Sequence, residues 1–565
     1  MLDIFIIGAG VAGIGAALEL AERGYKVTLI EQETLGFGSS SRNPGRMGHG
    51  FHYIDADTAK MYLRASIQVQ RKFSGYLVGK DKPFDHPLRH GRYFITKNSD
   101  NSPEEILRTY QAISEEYQRL IAEDPHNAVF GPPEKFFRIL KPSEYEGLVN
   151  PDIVELGVET AEHLFEWSHF SKDIHKKISA HKNIRLLEYN EVTHIEKGTL
   201  EEPRFTLHVT TKCGESKKYK CDFLINSTWQ NIEKLNAQIG ISMIPGARTN
   251  RLKCLLIVKL PESLLNANSM FFCMGQHCMF SNMGNGFGMM TFAQVTNMEA
   301  SSDLELSLQS QRLLNNEATC QEKYDIARQM LKGVSKYIPE MANATIVDVK
   351  YGIVQTAGKL SLQDLTNPNS SFHKRDYDGI REEQVGLISN PCMKLFYFIR
   401  NGQIVSDLLE AQIRASSWNT AVFQQISLKS QQKTRPLHPE VKRTIRDNLD
   451  RYTDSTSFSS VQPSFLMQIV SSPSIQMASM LFIMSSLSLL AFYITDSPSS
   501  VTPGALAGVG ITAYVGNFFA KNNLRNQETK TRAQADSTYQ TIVQKQNVVN
   551  EIQEVVNFRE SFQGH

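Results

Sequence analysis

The chain has 565 residues, more than a single hydrophobic core usually organises, so we expect at least two packed domains. Its 60 Lys and Arg residues nearly balance its 59 Asp and Glu residues, which argues against a broad basic surface for nucleic acid. The seven cysteines form no CxxC pair and complete no ligand set, so we expect reduced thiols and no metal site.

The first thirty-one residues predict a strand, a glycine-rich turn, a helix and a second strand. The apolar run 4–7 is typical of a buried parallel strand, and a GxGxxG motif follows it at residues 8–13. Apolar residues at helical spacing then extend to Gly24, and the run 25–30 ends in Glu31. This order predicts a Rossmann-like βαβ unit that binds a dinucleotide.

Each glycine of such a unit has a mechanical role. Gly8 permits the tight turn, Gly10 lets the backbone approach a pyrophosphate, and Gly13 lets the helix pack closely on the strand. The helix N-terminus then faces the phosphates, and the acid after the second strand accepts hydrogen bonds from a ribose. The dinucleotide contacts expected from this unit are Gly8, Gly10, Val11, Ala12, Gly13, Glu31 and Gln32.

The next segment, residues 38–53, is rich in Ser and Gly and ends in His and Tyr. It resembles the segment that the D-amino-acid oxidase (DAO) superfamily of flavoproteins places after its second strand, most of all in the 2-hydroxyglutarate and glycerol-3-phosphate dehydrogenase branches. The resemblance implies FAD and an α/β fold with a glutathione-reductase-type, Rossmann-like FAD-binding domain. Hydroxyls and bare backbone N–H groups in such a loop can approach phosphate oxygens. We expect cofactor contacts from Ser40, Ser41, Arg42, Gly45 and Arg46.

Three later segments are similar to other cofactor-binding parts of the superfamily. Residues 191–195 are similar to the strand that covers the adenine, residues 222–229 to the strand that returns to the nucleotide domain, and residues 386–395 to the closing strand and turn against the flavin. The cofactor contacts that these segments imply are Val192, Ser227, Thr228, Met393 and Lys394.

The candidate catalytic residues are His49, His52 and Lys394. Flavin oxidation of an alcohol or amine needs a group that accepts a proton, and the two histidines lie in the segment that the resemblance brings to the flavin face. A histidine here could instead carry a covalent bond to the flavin, or simply pack. Lys394 could stabilise negative charge on the reduced flavin. Arg46 could hold a substrate carboxylate or phosphate, or the FAD phosphates.

The cofactor segments alternate with stretches of mixed strand and helix, which we assign to an interleaved α+β substrate domain. The predicted boundaries are 1–83, 183–242 and 356–425 for the FAD-binding domain, 84–182 and 243–355 for the substrate domain, 426–474 for a linker, 475–520 for a membrane hairpin and 521–565 for a cytosolic amphipathic tail.

Two uncharged runs near the C-terminus predict a transmembrane helical hairpin. Residues 475–494 would reach about 30 Å as a helix, and residues 503–520 contain a GxxxG motif that lets two helices approach closely. Basic residues lie before the first run and after the second, which predicts a catalytic part that faces the cytoplasm. The alternative is a buried hairpin in a soluble protein. Apolar residues spaced by seven in the tail (Ile542, Val549 and Val556) indicate a helix through which copies could self-associate.

The sequence therefore predicts a membrane-anchored, FAD-dependent dehydrogenase or oxidase that moves a hydride from a small hydroxy acid, amine or amino acid to flavin. A membrane quinone is the expected electron acceptor, and no nucleic acid is expected as a partner. Trp229 stands where the superfamily usually has a glycine. This departure supports a competing hypothesis, a membrane-tethered interaction or scaffold protein that keeps the flavoprotein fold without turnover.

Overall fold

The computed structural model describes residues 2–198, 204–244, 246–367, 370 and 379–415. Within these residues the chain forms eighteen strands and nine α-helices, numbered in chain order. The strands are β1 (Ile4–Ile7), β2 (Val27–Ile30), β3 (Gly91–Thr96), β4 (Phe137–Ile139), β5 (Val154–Thr160), β6 (Ile184–Leu187), β7 (Asn190–Lys197), β8 (Phe205–Thr211), β9 (Ser216–Cys221), β10 (Phe223–Asn226), β11 (Arg248–Lys259), β12 (Ser269–Cys273), β13 (Cys278–Asn282), β14 (Phe287–Phe292), β15 (Asn297–Ser301), β16 (Thr345–Ala357), β17 (Arg381–Gln384) and β18 (Leu387–Ser389). The helices are α1 (Val11–Glu22), α2 (Ala56–Lys72), α3 (Pro103–Glu123), α4 (Trp167–Ser179), α5 (Ile232–Ala237), α6 (Ala293–Thr296), α7 (Leu308–Leu314), α8 (Cys320–Val334) and α9 (Phe398–Ala415).

The predicted βαβ unit forms the centre of a sheet with the order β17-β18-β10-β1-β2-β6. The pairs from β18 to β6 are parallel, and β17 pairs with β18 in the antiparallel sense. All four residues of β1 are buried, as expected for a parallel strand that is covered on both faces. On one face, α1 crosses α9 at backbone contact. A Cβ added to Gly15 would lie 2.0 Å from the carbonyl oxygen of Phe398, so a larger residue there would separate the helices.

A three-stranded antiparallel sheet, β7-β8-β9, covers the other face of the parallel sheet. Side chains alternate between the two faces of a strand, and β1 shows the consequence. Ile4 and Ile6 pack in the same cluster as α1, whereas Phe5 and Ile7 pack with the apolar side chains of β7 and β8. The carboxyl ends of β1, β2 and β10 therefore meet at one edge between two covering layers.

A second sheet of nine strands has the order β15-β11-β14-β13-β12-β3-β5-β4, with β16 paired to β11. β11 is long enough to pair with β14 and β15 in succession, and it pairs with β16 over its whole length. Strands from both predicted substrate segments, 84–182 and 243–355, join in this sheet through the parallel pair β3 and β12.

Residues 416–565 lie outside the described part of the chain, so the linker, the hairpin at 475–520 and the tail stay predictions. Among the helices that the structure describes, none combines the length and the apolar character that crossing a bilayer requires. All seven cysteines are free thiols, as the sequence predicts.

Candidate functional site

A cavity of about 740 Å³ extends from the carboxyl edge of the parallel sheet to the face of the second sheet. Its wall includes Gly8 after β1, Glu31 after β2 and Ser227 after β10, and it continues to Met279 on β13 and Thr291 on β14. This volume is within the usual range for small-molecule and cofactor sites, and ligands of open α/β sheets bind at the carboxyl ends of the strands. We therefore take this cavity as the candidate site.

The glycine turn forms one end of the cavity and has no space for side chains. Gly8 has a φ of +89°, and a Cβ there would lie 2.6 Å from the carbonyl oxygen of Ser227. A Cβ at Gly13 would lie 2.0 Å from the carbonyl oxygen of Gly8. Gly10, Val11 and Ala12 line the cavity, so the N-terminus of α1 faces it. The turn thus provides the close backbone approach that a pyrophosphate requires.

Glu31 lies at the same end, nearly buried at 9% exposure, and lines the cavity beside Gln32. Its carboxylate accepts the N–H of Ala9 at 2.7 Å and that of Glu33 at 3.1 Å. Burial raises the pKa of Glu31, and these backbone hydrogen bonds oppose the shift. Val192 lines the adjacent wall, so the acid and the strand predicted to cover an adenine lie at one end.

The three serines that follow the βαβ unit, residues 39–41, make different contacts. Ser40 lines the cavity, and its Oγ accepts the N–H of Val11 at 3.0 Å. Ser41 donates its hydroxyl to the carbonyl of Phe37 at 2.6 Å and is not part of the described cavity wall. Ser39, which the sequence analysis did not select, does line the cavity. These residues form one turn of 3₁₀-helix, so adjacent serines point in different directions.

Two predicted contacts from the same loop have structural partners. Arg42 lines the cavity, but it donates to the carbonyls of Leu314 at 2.8 Å and Tyr351 at 3.1 Å. Burial lowers the pKa of Arg42. Gly45 accepts the N–H of Phe165 at 2.6 Å and lies outside the cavity wall as described. Both residues therefore join the loop to other parts of the fold.

Arg46 lines the cavity from a buried network. Its Nε donates to the Glu162 carboxylate at 2.8 Å, its Nη2 donates to the Tyr93 hydroxyl, and its Nη1 lies 3.2 Å from the sulfur of Met279. Burial alone would lower the pKa of Arg46, but the Glu162 carboxylate raises it on balance. The guanidinium is thus charged and fixed in orientation.

The two candidate histidines are separated. His52 lines the cavity beside Tyr53. His49 has an exposure of 0%, lies outside the described cavity wall, and packs with its ring centroid 3.8 Å from that of Phe130. Among the described residues neither nitrogen of His49 has a hydrogen-bond partner, and burial, with a smaller contribution from Arg46, lowers its pKa to about 3. The structure thus places His52, and not His49, at the cavity.

Lys394 lines the cavity next to Met393 and Tyr53. Its Nζ donates to the Tyr53 hydroxyl and lies 5.0 and 5.1 Å from the ring centroids of Tyr53 and Tyr62. Tyr53 was part of the segment that carries the family resemblance but was not selected as a site residue. Lys394, Tyr53 and His52 therefore form one polar group in the cavity wall.

The residues that follow β10 indicate whether the cavity suits a dinucleotide. Ser227 lines the cavity, and its buried hydroxyl has no hydrogen-bond partner among the described residues, so a polar ligand would satisfy it. The Thr228 hydroxyl donates to the side chain of Asn226 at 2.7 Å. Trp229 has a φ of +58°, the left-handed conformation that a glycine adopts freely. With the glycine turn, these features fit FAD.

The described cavity wall carries more basic than acidic side chains. Among the described wall residues the acids are Glu31 and Glu191, both at the predicted ribose and adenine end. The Lys and Arg residues in the wall are Arg42, Arg46, Lys234, Arg251, Lys253 and Lys394. Arg251 and Lys253 were missed because alternation along β11 shows that they share a face but not which face meets the cavity. Among the described residues, no group of three or more His, Cys, Asp or Glu side chains could hold a metal ion.

Parts of the chain are similar to known proteins. The chain is 42% identical over 59 residues to aerobic glycerol-3-phosphate dehydrogenase of Bacillus subtilis, which covers 10% of this chain and 11% of that protein. It is 39% identical over 129 residues to gamma-glutamylputrescine oxidoreductase of Escherichia coli, which covers 21% of this chain and 28% of that protein. The matches thus span less than two thirds of either curated relative. The solved structure of L-proline dehydrogenase from P. horikoshii is 18% identical with a TM-score of 0.48, and the alignment covers 73% of this chain and 93% of that one.

The model of the family described as DAO, FAD dependent oxidoreductase, matches residues 3–362, which is more than half of the chain. That segment contains the glycine turn, the acid after β2, the serine loop and all nine strands of the second sheet. The α/β class predicted from the sequence is confirmed by the parallel sheet and by this match. The chain belongs to the DAO family of FAD-dependent oxidoreductases.

Proposed function

We propose that this enzyme oxidises a small anionic hydroxy acid or amino acid at the carbon that bears the hydroxyl or amine. The observation that supports this most directly is the excess of basic residues in the described cavity wall, which contains six Lys and Arg residues and only two acids, Glu31 and Glu191. Even though Glu162 offsets the charge of Arg46, the remaining excess of basic side chains favours a carboxylate or phosphate on the substrate. A neutral alcohol would gain nothing from these cations, and a simple amine, which is protonated at neutral pH, would be repelled by them.

FAD, when bound, supplies the acceptor for the hydride. The chain's own residues would hold it through the glycine turn at the pyrophosphate, Glu31 at the ribose and Ser227 at its unpaired hydroxyl. Lys394 lies in the cavity wall with its Nζ on the Tyr53 hydroxyl, and a cation there could stabilise negative charge on the flavin. His52 is the candidate for holding the proton that leaves the substrate hydroxyl or amine, since it lies in the wall beside Tyr53.

Anaerobic mixing of the purified, FAD-loaded protein with matched compounds tests the proposal. The panel pairs 2-hydroxy acids, amino acids and glycerol phosphate with alcohols and amines of the same carbon number that lack the anionic group. We expect a compound with the anionic group to bleach the flavin absorbance and its counterpart without that group to do so at least tenfold more slowly. Equal rates within each pair would contradict the anionic preference. A folded but colourless protein would favour the scaffold hypothesis.

We also propose that residues 475–520 anchor the enzyme as a helical hairpin, with the catalytic part on the cytoplasmic side and a membrane quinone as electron acceptor. The support is the pair of uncharged runs, each near the length of a bilayer span, with Lys and Arg on both flanks. The full chain should sediment with membranes and resist alkaline carbonate extraction, whereas a chain that ends at residue 474 should not. Release of the full chain by carbonate would contradict the anchor.

A further inference from the structure

One of the three contacts that the Arg46 guanidinium makes in this network is weaker than the other two. Its Nε and Nη2 donate to a carboxylate and a hydroxyl, both of which are good acceptors. Its Nη1 faces the sulfur of Met279 at 3.2 Å, and a thioether is a weak acceptor. Since Arg46 and Met279 both line the cavity, this weakly satisfied donor lies where a ligand can reach it.

The other contacts of Arg46 fix its direction. The Tyr93 hydroxyl accepts from Arg46 and donates to Glu162 at 2.6 Å, which closes a triangle of three side chains. Glu162 has a side-chain exposure of 0%, and the guanidinium lies 4.0 Å from the ring centroid of Phe271. A guanidinium held by such a set of bonds cannot turn towards a different acceptor without breaking them. Glu162 and Tyr93 are therefore positioning residues for Nη1.

We propose that Met279 determines specificity by occupying the outward donor of Arg46 until the substrate's carboxylate displaces it. A carboxylate oxygen forms a charge-assisted hydrogen bond with a guanidinium, which is stronger than a bond to sulfur. The unbranched methionine side chain has three rotatable bonds and can move aside at small cost. This inference deepens the proposed function, on which it rests, by assigning the substrate's anion to one donor.

The charge of the network favours a carboxylate over a phosphate at this point. Glu162 neutralises Arg46 at 2.8 Å, so the anchor offers a directed donor with little net positive charge. A monoanionic carboxylate loses little from the nearby Glu162 charge, whereas a dianionic phosphate loses about twice as much. We therefore expect α-hydroxy or α-amino carboxylates to be preferred over phosphate esters.

Ligand binding without turnover tests the proposal. Propionate, propionamide and inorganic phosphate are titrated into the FAD-loaded protein, and the shift of the flavin absorption spectrum gives each Kd. We expect Arg46→Lys to weaken propionate binding about tenfold or more, because the compact ammonium of lysine lacks the planar fork whose separate nitrogens reach Glu162, Tyr93 and a ligand. Arg92→Lys is the matched control, since Arg92 is the neighbour of Tyr93 on β3 and pairs with Glu159 instead.

Substitutions of Met279 give the sharper test. Met279→Leu removes the sulfur without changing charge, so propionate should bind as well as or more tightly than to the unaltered protein. Met279→Glu places a carboxylate on Nη1 and should weaken propionate binding at least tenfold, while the Kd of propionamide stays within about twofold. The proposal is overturned if Met279→Leu weakens propionate binding as much as Arg46→Lys does, or if phosphate binds more tightly than propionate.

The titration also separates this inference from the proposed function. If no compound bleaches the flavin but propionate binding follows the expected order, the anchor stands and the proposed reaction does not. If Arg46→Lys fails to fold with FAD, the two Met279 variants still decide the result, because neither removes a bond of Arg46 to Glu162 or Tyr93.

Discussion

The carboxylate of Glu31 accepts the backbone N–H of Ala9 at 2.7 Å, so the acid that ends β2 stabilises the glycine turn that follows β1. The same carboxylate accepts the N–H of Glu33 at 3.1 Å and lines the cavity. One side chain thereby holds the turn in place and faces the space where a ribose would lie. Two strands that are neighbours in the sheet, β1 and β2, meet through this contact.

Replacing Glu31 with Gln should weaken FAD binding with little change in fold. Glutamine keeps the shape but offers one neutral acceptor oxygen instead of two charged ones, and hydrogen bonds to charged groups contribute about 1.5–3 kcal/mol. We expect the Kd for FAD to rise about tenfold or more, measured by flavin fluorescence on reconstituting the apoprotein. Glu33→Gln is the control, because that side chain pairs with exposed Lys212. Equal affinity in the two variants would contradict the role of Glu31.

His49 should make the protein less stable in mild acid. Its pKa is lowered to about 3 by burial, whereas an unfolded histidine has a pKa near 6.5. Between these values the unfolded state binds a proton that the folded state does not, so stability is lost as the pH falls from 6.5. The loss approaches about 1.4 kcal/mol per pH unit for this residue.

The variant His49→Leu should therefore show a shallower decline. Urea unfolding at pH 7 and at pH 5 should give a smaller difference in unfolding free energy for His49→Leu than for the unaltered protein, and nearly equal stability at pH 7. His126→Gln is the control because that side chain is 84% exposed. If His49→Leu and the unaltered protein lose the same free energy between the two pH values, His49 is not held neutral.

The difference between His49 and His52 shows what sequence reasoning could and could not establish. The βαβ unit was predictable because its strand, glycines, helix and acid are adjacent in the chain and each follows a local rule. The direction of His49 depends on segment 162–165, which pairs with the loop from more than a hundred residues away. Local spacing carries no information about that pairing.

The same limit explains why the cations of β11 were missed and why Ser41 was selected instead of Ser39. Arg251 and Lys253 line the cavity only because the second sheet presents that face of β11 to the cavity. Which face it presents depends on the order of all the strands in the sheet. Ser39 was missed and Ser41 was selected because three identical residues in one helical turn have no distinguishing signal. Family resemblance pointed to a loop that lines the cavity, and tertiary contacts determine which of its residues do so.

Lys394 should affect the reductive step more than cofactor retention. Its Nζ is held by the Tyr53 hydroxyl and lies over two aromatic rings, so the cation has a fixed place in the cavity wall. Lys394→Met should retain FAD but slow flavin bleaching by substrate about 100-fold, as loss of a charge-stabilising donor does in other enzymes. Stopped-flow absorbance measures the rate. Lys394→Arg should recover part of it, and exposed Lys332→Met should have no effect; an unchanged rate in Lys394→Met would rule out the role.

Trp229 gives a prediction about backbone strain. A non-glycine residue with a φ of +58° carries a cost of about 1–2 kcal/mol, and Trp229 offsets it with contacts that include an indole N–H bond to the carbonyl of Ile353 at 3.0 Å. Trp229→Ala loses those contacts and keeps the strain, whereas Trp229→Gly loses the contacts and relieves it. We therefore expect the glycine variant to be more stable than the alanine variant by about 1 kcal/mol, measured by urea unfolding.

At a tryptophan with a helical backbone, the order of stability of the alanine and glycine variants should reverse. Trp167 is such a residue. That residue begins α4, where alanine fits the backbone without strain and is favoured over glycine by about 0.4–1 kcal/mol because it restricts the unfolded chain. Trp167→Ala should thus be more stable than Trp167→Gly, opposite to the pair at Trp229. The same order at both sites would mean that the backbone at Trp229 is not left-handed. In that case tryptophan would not take the backbone conformation that the family's usual glycine adopts, and the cavity wall, which includes Trp229, would differ there.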